Sequence, residues 1–520
     1  MTIAKRVAVV LVIIAALVIA LAVSAGDTDE PDQAQATLIP TAAVATPVPT
    51  VPEPTTEPTL VPTPTPTPTP YAWWVDPATS GQPFGDTVEG ILTFRGSPTR
   101  SYYGAGPVPV APQIVWSFPD TSMCSESSVG SETTTWCGTG WTGQPSVWER
   151  DGQTLVSFGA YDRAVHLLDA DTGDRIVDDF VTGDIIKGSV SVDPDGFPLI
   201  YSGSRDNYLH ILSYDQGEFV ELWRLDAYAV SPTLWNDDWD GSPLIIDDYL
   251  FEGGENSNIH IVKLNRGYDA KGKVTVDPEL VFHAPGWDAE LTAIHGSNVS
   301  IENSVAISGN TLWFANSGGL VQGWDITGLK DGVTPERIFR WWSGDDVDAS
   351  LVIDDEGFIY VAAEYEKSRQ RSLDVGQLIK LDPTKPDDPV VWSFFDHGTS
   401  IAGIWATPAI YKDVVVTSTD GGRVVGLDRA TGEIRWEKRL PGPVWSSQVV
   451  VDDVLIQGDC AGVLHAYDLS DTTIDPPELW SVNIGGCIES TPAVWDGVIY
   501  VGTRGGRFHA IADVPVTSEQ

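Results

Sequence analysis

Ala406-Thr407-Pro408-Ala409-Ile410, then Val414 to Ser418, Asp420-Gly421-Gly422, Arg423-Val424-Val425-Gly426-Leu427-Asp428 and, past Arg429-Ala430-Thr431-Gly432-Glu433-Ile434-Arg435, Trp436: this stretch decides the fold. Small or polar residues lead an apolar run, a Gly/Asp turn follows, and a third run ends on Asp before the closing Trp. Short β-branched runs separated by Gly, Asp and Pro clusters are strands joined by turns. The unit returns from Ser447 to Trp480, with Asp452-Asp453, Gly458-Asp459-Cys460-Ala461-Gly462 and Tyr467-Asp468 in the matching places. It starts again at Ser490-Thr491-Pro492-Ala493-Val494, passes Arg504-Gly505-Gly506, and stops after Phe508 to Ile511, one strand short.

Earlier copies begin near Gln144, Gly188, Ser242, Ser304 and Ser350, and their third strands end near Asp169, Ser213, Leu264, Asp325 and Asp382. Repeats of roughly 40 to 60 residues that cannot each bury their own faces stack on one another. Gln113-Ile114-Val115-Trp116, ahead of the first full copy, has the character of the strand missing from the last. Pairing the two closes a ring and removes the exposed sheet edge. The expected fold is therefore all-β: a β-propeller of about eight four-stranded antiparallel blades, with seven as the alternative count.

Gly426 to Trp436 resembles the Trp-docking motif of quinoprotein-type propellers, and Leu168-Asp169-Ala170-Asp171-Thr172-Gly173 is a partial copy of it. The resemblance covers nearly all of residues 113 to 512. It makes the ring similar to the PQQ-like repeat superfamily, which includes quinoprotein alcohol dehydrogenases and non-catalytic scaffolds such as the outer-membrane-protein assembly lipoprotein. Fold is implied by this; activity is not. In the motif, Asp and Gly make the turn into the outer strand, and the Trp is an apolar plate for the neighbouring blade.

Lys5 and Arg6 precede the apolar run Val7 to Val23, which Ser24, Ala25 and Gly26 close. A positive flank, an apolar core and small residues behind it form an export signal. The run is close to the lower limit of about 17 residues for a spanning helix. Residues 1–25 thus read as a membrane anchor, with a cleaved signal as the alternative. Residues 26–70, acidic and then rich in Pro and Thr, cannot bury a core and read as a disordered linker. Residues 71–112 form an N-terminal extension, 113–512 the propeller and 513–520 a tail. Cys124 with Cys137 and Cys460 with Cys487 are expected disulfides of an exported chain. A formal charge of −43 over 520 residues repels phosphate backbones, so nucleic acid is excluded as a partner.

In a propeller, the loop leading into each innermost strand and the turn between second and third strands share one face, where ligands are expected. Carboxylates from three successive blades converge there: Glu252, Glu255, Glu302, Asp346, Asp348 and Glu364 are the expected metal ligands, with a solvated acidic rim as the alternative. Oxygen-only donors suit Ca2+, which takes about 6–8 of them. A PQQ-dependent dehydrogenase would add a quinone polarised by that ion and a carboxylate base. The chain has neither two adjacent cysteines nor a Cys-x-x-Cys-His haem site, and neither a Gly-x-Ser-x-Gly elbow nor a His-Glu-x-x-His pair, so no catalytic residue is assigned. His260, His465 and His509 hold equivalent third-strand positions and read as packing residues. Trp141, Trp235, Trp239, Trp341, Trp342, Trp405 and Trp445 are loop aromatics able to stack on a ligand. The sequence reading is an extracytoplasmic, membrane-tethered binding or scaffold protein whose loop face takes a protein, glycan or small molecule. A PQQ-dependent alcohol or sugar dehydrogenase is the alternative.

Overall fold

The computed structural model describes residues 73–129, 132–140, 143–396 and 403–514. The expected anchor, the linker, Trp141 and the end of the tail lie outside these residues. One compact unit, Ala72–Ser127 with Thr133–Gln520, contains all of the ring. The other, Met1–Tyr71 with Ser128–Glu132, falls almost wholly outside the described residues. Among the described residues no helix is long and apolar enough to cross a membrane.

Eight sheets of antiparallel strands form the blades, each of four strands taken in chain order except the last, whose outer strand comes from the N-terminal side; in the third blade the short hairpin Gly267–Tyr268 with Val274–Thr275 precedes the outer strand Glu279–Pro285. Their innermost strands are Ser146–Arg150, Ser191–Val192, Leu244–Ile246, Ala306–Ser308, Val352–Ile353, Ala409–Tyr411, Val449–Val451 and Ala493–Trp495. In the sixth blade, Ala409 faces Val416, Val416 faces Gly426, and Gly426 faces Trp436. Val414–Ser418 is buried at every position, because neighbouring blades cover both of its faces. A sheet covered on both sides reads as a continuous apolar run, which is why the repeat shows Val-Val-Val and not alternation. The outer strand Ile434–Arg439 meets solvent and carries the charges.

Closure follows the sequence reading. Pro112–Phe118 pairs antiparallel with Arg507–Asp513, Ile114 opposite Ile511 and Phe118 opposite Phe508. Trp116 then crosses to the first blade: its indole N–H donates to the Ala170 carbonyl at 2.9 Å. Trp392 of the fifth blade repeats this contact on the Arg429 carbonyl at 3.0 Å. Its ring lies where a Cβ on Gly432 would be, 2.7 Å away, so only glycine allows that approach. The turn beneath is shaped by Asp428, whose carboxylate accepts from the Ala430 and Thr431 amides at 2.9 and 2.8 Å. In the partial copy, Asp169 does the same for Asp171 and Thr172.

The small polar residue that leads each copy also has a structural role. The Ser242 amide donates to Ser304 Oγ, Ser304 to Ser350, Ser350 to Thr407 and Thr407 to Ser447, all at 2.9–3.0 Å. The third to seventh blades are thereby stitched one to the next near the axis.

The N-terminal extension is part of this core. Gly90–Ile91 adds a fifth strand inside the first blade, and Gly104–Ala105 adds one, in parallel, inside the eighth. Between them the chain occupies the axis. The Leu92 carbonyl accepts from Val192 in the second blade at 2.8 Å, and Thr93 meets Ser242 of the third at 3.1 Å. Carbonyls of Pro98 and Thr99 accept from Ile307 and Ile353 in the fourth and fifth. Arg95 donates to the Pro408 carbonyl of the sixth blade at 2.6 Å and to the Gln448 carbonyl of the seventh. A single segment therefore bonds to the innermost strand region of all eight blades.

Both expected disulfides are present, Cys124–Cys137 and Cys460–Cys487. The first ties the base of a polar hairpin, Cys124–Val129 with Glu132–Cys137. Two disulfides fit an oxidising, extracytoplasmic compartment.

Candidate functional site

The six carboxylates expected as one metal site divide among different environments. Asp346 and Asp348 stand in the loop before Val352–Ile353, and Glu364 lies just beyond Ile359–Ala362 in the same blade. Their ligand oxygens lie within 4.8 Å of one another. Glu255 instead gathers with Asp238 and Asp240 in a second cluster of the same span. Glu302 accepts from Ser300 and Ser317 hydroxyls at 2.6 and 3.0 Å. Glu252 is buried beside the axis, where Arg100 faces it electrostatically.

The two clusters differ in their cations. Lys187 pairs with Asp240 and, at 3.2 Å, with Glu255, while Arg205 pairs with Asp238 at 2.6 Å. Burial pulls the Lys187 ammonium down, and Asp240 and Glu255 more than reverse that. Three acids and two bases there form a buried ion network in which each group has an opposite charge at hand. At Asp346, Asp348 and Glu364 the paired cation is Lys367, 2.9 Å from Asp346. Burial first, then the Asp348 and Asp346 charges, push the Glu364 carboxyl well above its ordinary range.

Between this cluster and the axis is a cavity of about 10 Å³ lined by Phe94, Glu302, Asn303, Asp348 and Trp405, among others. Asn303 fixes its wall by donating to the Ala315 and Val347 carbonyls at 3.0 and 2.8 Å. Trp405 stacks on Trp445, with ring centroids 5.1 Å apart and planes at 26°. Trp235 and Trp342 are likewise half-buried. Trp239 and Trp341, expected on exposed loops, are buried instead. Trp239 fills the space between two blades and donates to the Asn207 carbonyl at 3.1 Å.

His260, His465 and His509 do pack in third strands, joined by His166 and His210. The residues that sequence reasoning missed are Arg95 and Arg100 on the axis. Arg100 donates to the Val305 carbonyl at 2.7 Å, to Thr93 Oγ1 at 2.9 Å and to the Phe94 carbonyl at 2.8 Å. The available signal was two arginines within Ile91 to Tyr103, a short apolar and hydroxyl-rich stretch of a strongly acidic chain.

The dehydrogenase reading requires room for a pyrroloquinoline quinone near the axis. Ligand pockets for molecules of that size measure about 300 Å³ or more. The axial cavity is about 10 Å³, and Phe94, from the segment that bonds to every blade, is part of its lining. The group does not fit there.

Residues 374–511 match the family model described as outer membrane protein assembly factor BamB. No curated protein matches the chain. Among solved structures, quinohemoprotein alcohol dehydrogenase from Comamonas testosteroni aligns with 15% identity and a TM-score of 0.54, covering 83% of this chain and 82% of that one. Quinohemoprotein alcohol dehydrogenase ADHIIG from Pseudomonas putida HK5 aligns with 12% identity and a TM-score of 0.54, covering 83% and 81%. BamB from Moraxella catarrhalis aligns with 13% identity and a TM-score of 0.39, covering 78% and 100%. Similarity this remote speaks for fold alone. The chain is an eight-bladed β-propeller, and its last blades are similar to the repeat of the PQQ-like family.

Proposed function

We propose that the protein is an extracytoplasmic, membrane-tethered binding or scaffold propeller, and not a quinone-dependent dehydrogenase. The observation that carries this reading is the occupied axis: the chain's own Gly90–Ala105 region bonds to every blade where a ring-shaped cofactor site would need room. A ring stitched this way is a rigid platform, and rigidity lowers the ordering cost of binding. Its acidic loop face, with the stacked Trp405 and Trp445 at the mouth, receives a protein, glycan or small-molecule ligand. A divalent cation on that face serves a structural or ligand-bridging purpose.

Reconstitution with PQQ and Ca2+, followed by dye reduction with alcohols and sugars, tests the non-catalytic half. No turnover is expected, and protein purified from its native host should lack quinone absorbance. Substrate-dependent dye reduction would overturn the reading. Protease added to intact cells should release the ring from its linker; a ring reached only after lysis would refute the tethered, external placement.

A further inference from the structure

We infer that Asp346, Asp348 and Glu364 of the fifth blade form a Ca2+ site, an inference that rests on the binding-protein reading and says where its cation sits. Ca2+ binds oxygen at about 2.3–2.6 Å, so ligands on opposite sides of the ion are about 4.6–5.2 Å apart. Three carboxylates whose ligand oxygens all lie within 4.8 Å of one another can share one such shell. The backbone holds them there. The Glu364 amide donates to the Asp346 carbonyl at 2.8 Å, and Asp345 accepts from the Asp346 and Lys367 amides at 3.0 and 2.9 Å.

A second observation points to the ion. Glu364 is 2% exposed, and its Oε1 has no hydrogen-bond partner among the described residues although it faces two other acids. A buried carboxylate oxygen without a donor is costly, and a bound cation removes that cost. The Lys367 ammonium lies 2.9 Å from Asp346, and Asp348 and Glu364 bring two further carboxylates into the same span. Glu366 and Asp420 add to the negative potential at Glu364. Asp238, Asp240 and Glu255 form a built-in contrast: the same number of acids in the same span, each of them paired with Lys187 or Arg205.

The test uses the full chain in neutral detergent, stripped with EDTA and titrated with Tb3+ under tryptophan excitation. Trp405 lines the same cavity as Asp348 and sensitises the emission. One equivalent of Tb3+ should bind and be displaced by Ca2+. Glu364→Gln and Asp348→Asn should each weaken binding by about tenfold or more, since Ca2+ affinity follows the count of charged ligands. Asp237→Asn, beside the other cluster, should leave it unchanged. Near-UV circular dichroism confirms folding; if Glu364→Gln fails to fold, Asp348→Asn and the wild-type stoichiometry decide. Absence of Ca2+-displaceable emission at millimolar Ca2+, or equal affinity in the folded variants, overturns the site. A chain that binds no Ca2+ and reduces no dye refutes this site alone. One that binds Ca2+ and reduces dye with PQQ refutes the functional reading instead.

Discussion

Replacing Arg100 by Met keeps the length of the side chain and removes every charge and donor that it places on the axis. In the wild type its guanidinium satisfies the Val305, Phe94 and Ser242 carbonyls and the Thr93 hydroxyl. Burial lowers its pKa to about 9, with Glu252 opposing the shift, so it stays charged at neutral pH. The variant takes Arg100's donors from those acceptors and removes the positive charge that faces the buried Glu252. Breaking a buried, hydrogen-bonded charge in this way costs about 3–5 kcal/mol. At about 2.1 cal/mol/K per residue over roughly 430 described residues, the unfolding entropy is about 0.9 kcal/mol/K, so a 4 kcal/mol loss is about 4 °C in Tm. Burial already raises Glu252 well above the carboxylate range, and Arg100 is the group that opposes it. In the variant its folded pKa rises further, and the group's stabilisation, full below its unfolded value, is lost as pH climbs. The Tm deficit should therefore be larger at pH 8 than at pH 5. Differential scanning calorimetry at both pH values is the measurement. A variant that melts within 1 °C of wild type, while protease trims residues 73–111 from an intact ring, would refute the claim that this segment is core and would make it a detachable cover.

Trp116→Ala removes both the plate against the first blade and the indole bond to Ala170; it should cost about 3–5 kcal/mol, and unchanged urea unfolding would refute the closure. A chain beginning near residue 120 lacks closing strand and axial segment alike, so it should aggregate, and a monomer melting like one beginning at residue 73 would contradict this. Loop-closure entropy gives Cys460–Cys487, 27 residues apart, about 3.6 kcal/mol and Cys124–Cys137, 13 apart, about 2.9 kcal/mol. Reduction should lower Tm accordingly, and Cys460→Ser with Cys487→Ser should account for the larger share. Burial holds His260 near 3 and His509 near 4, below the ordinary 6.5. The neutral rings contribute fully above pH 6.5, and that stability is lost as pH falls toward those values, at about 1.4 kcal/mol per pH unit for each group. His509→Gln should flatten the acid limb by one such slope; an identical pH profile would show that His509 does not titrate this way.

What the sequence made legible is what the repeat encodes locally. Val414 to Ser418 is a strand wherever it stands, Asp428 with Gly432 is a turn, and Trp116 finds the same kind of turn that Trp392 finds, so ring, closure and disulfides could all be read from spacing. The axis could not. Arg95 and Arg100 lie in no repeat, and their partners, the carbonyls of Ser242, Val305, Pro408 and Gln448, are backbone atoms that carry no sequence signal. The acidic face was legible as a place and not as a pairing. Glu255 and Glu364 occupy similar positions after a second strand, and only the fold shows that Lys187 reaches one while Lys367 reaches Asp346 and leaves Glu364 facing acids. Lys187 stands one blade before Glu255 in the chain, whereas Lys367 comes from Glu364's own blade. The difference between an ion network and an ion site is thus decided by cations arriving from different blades, and a propeller hides that behind its repeat.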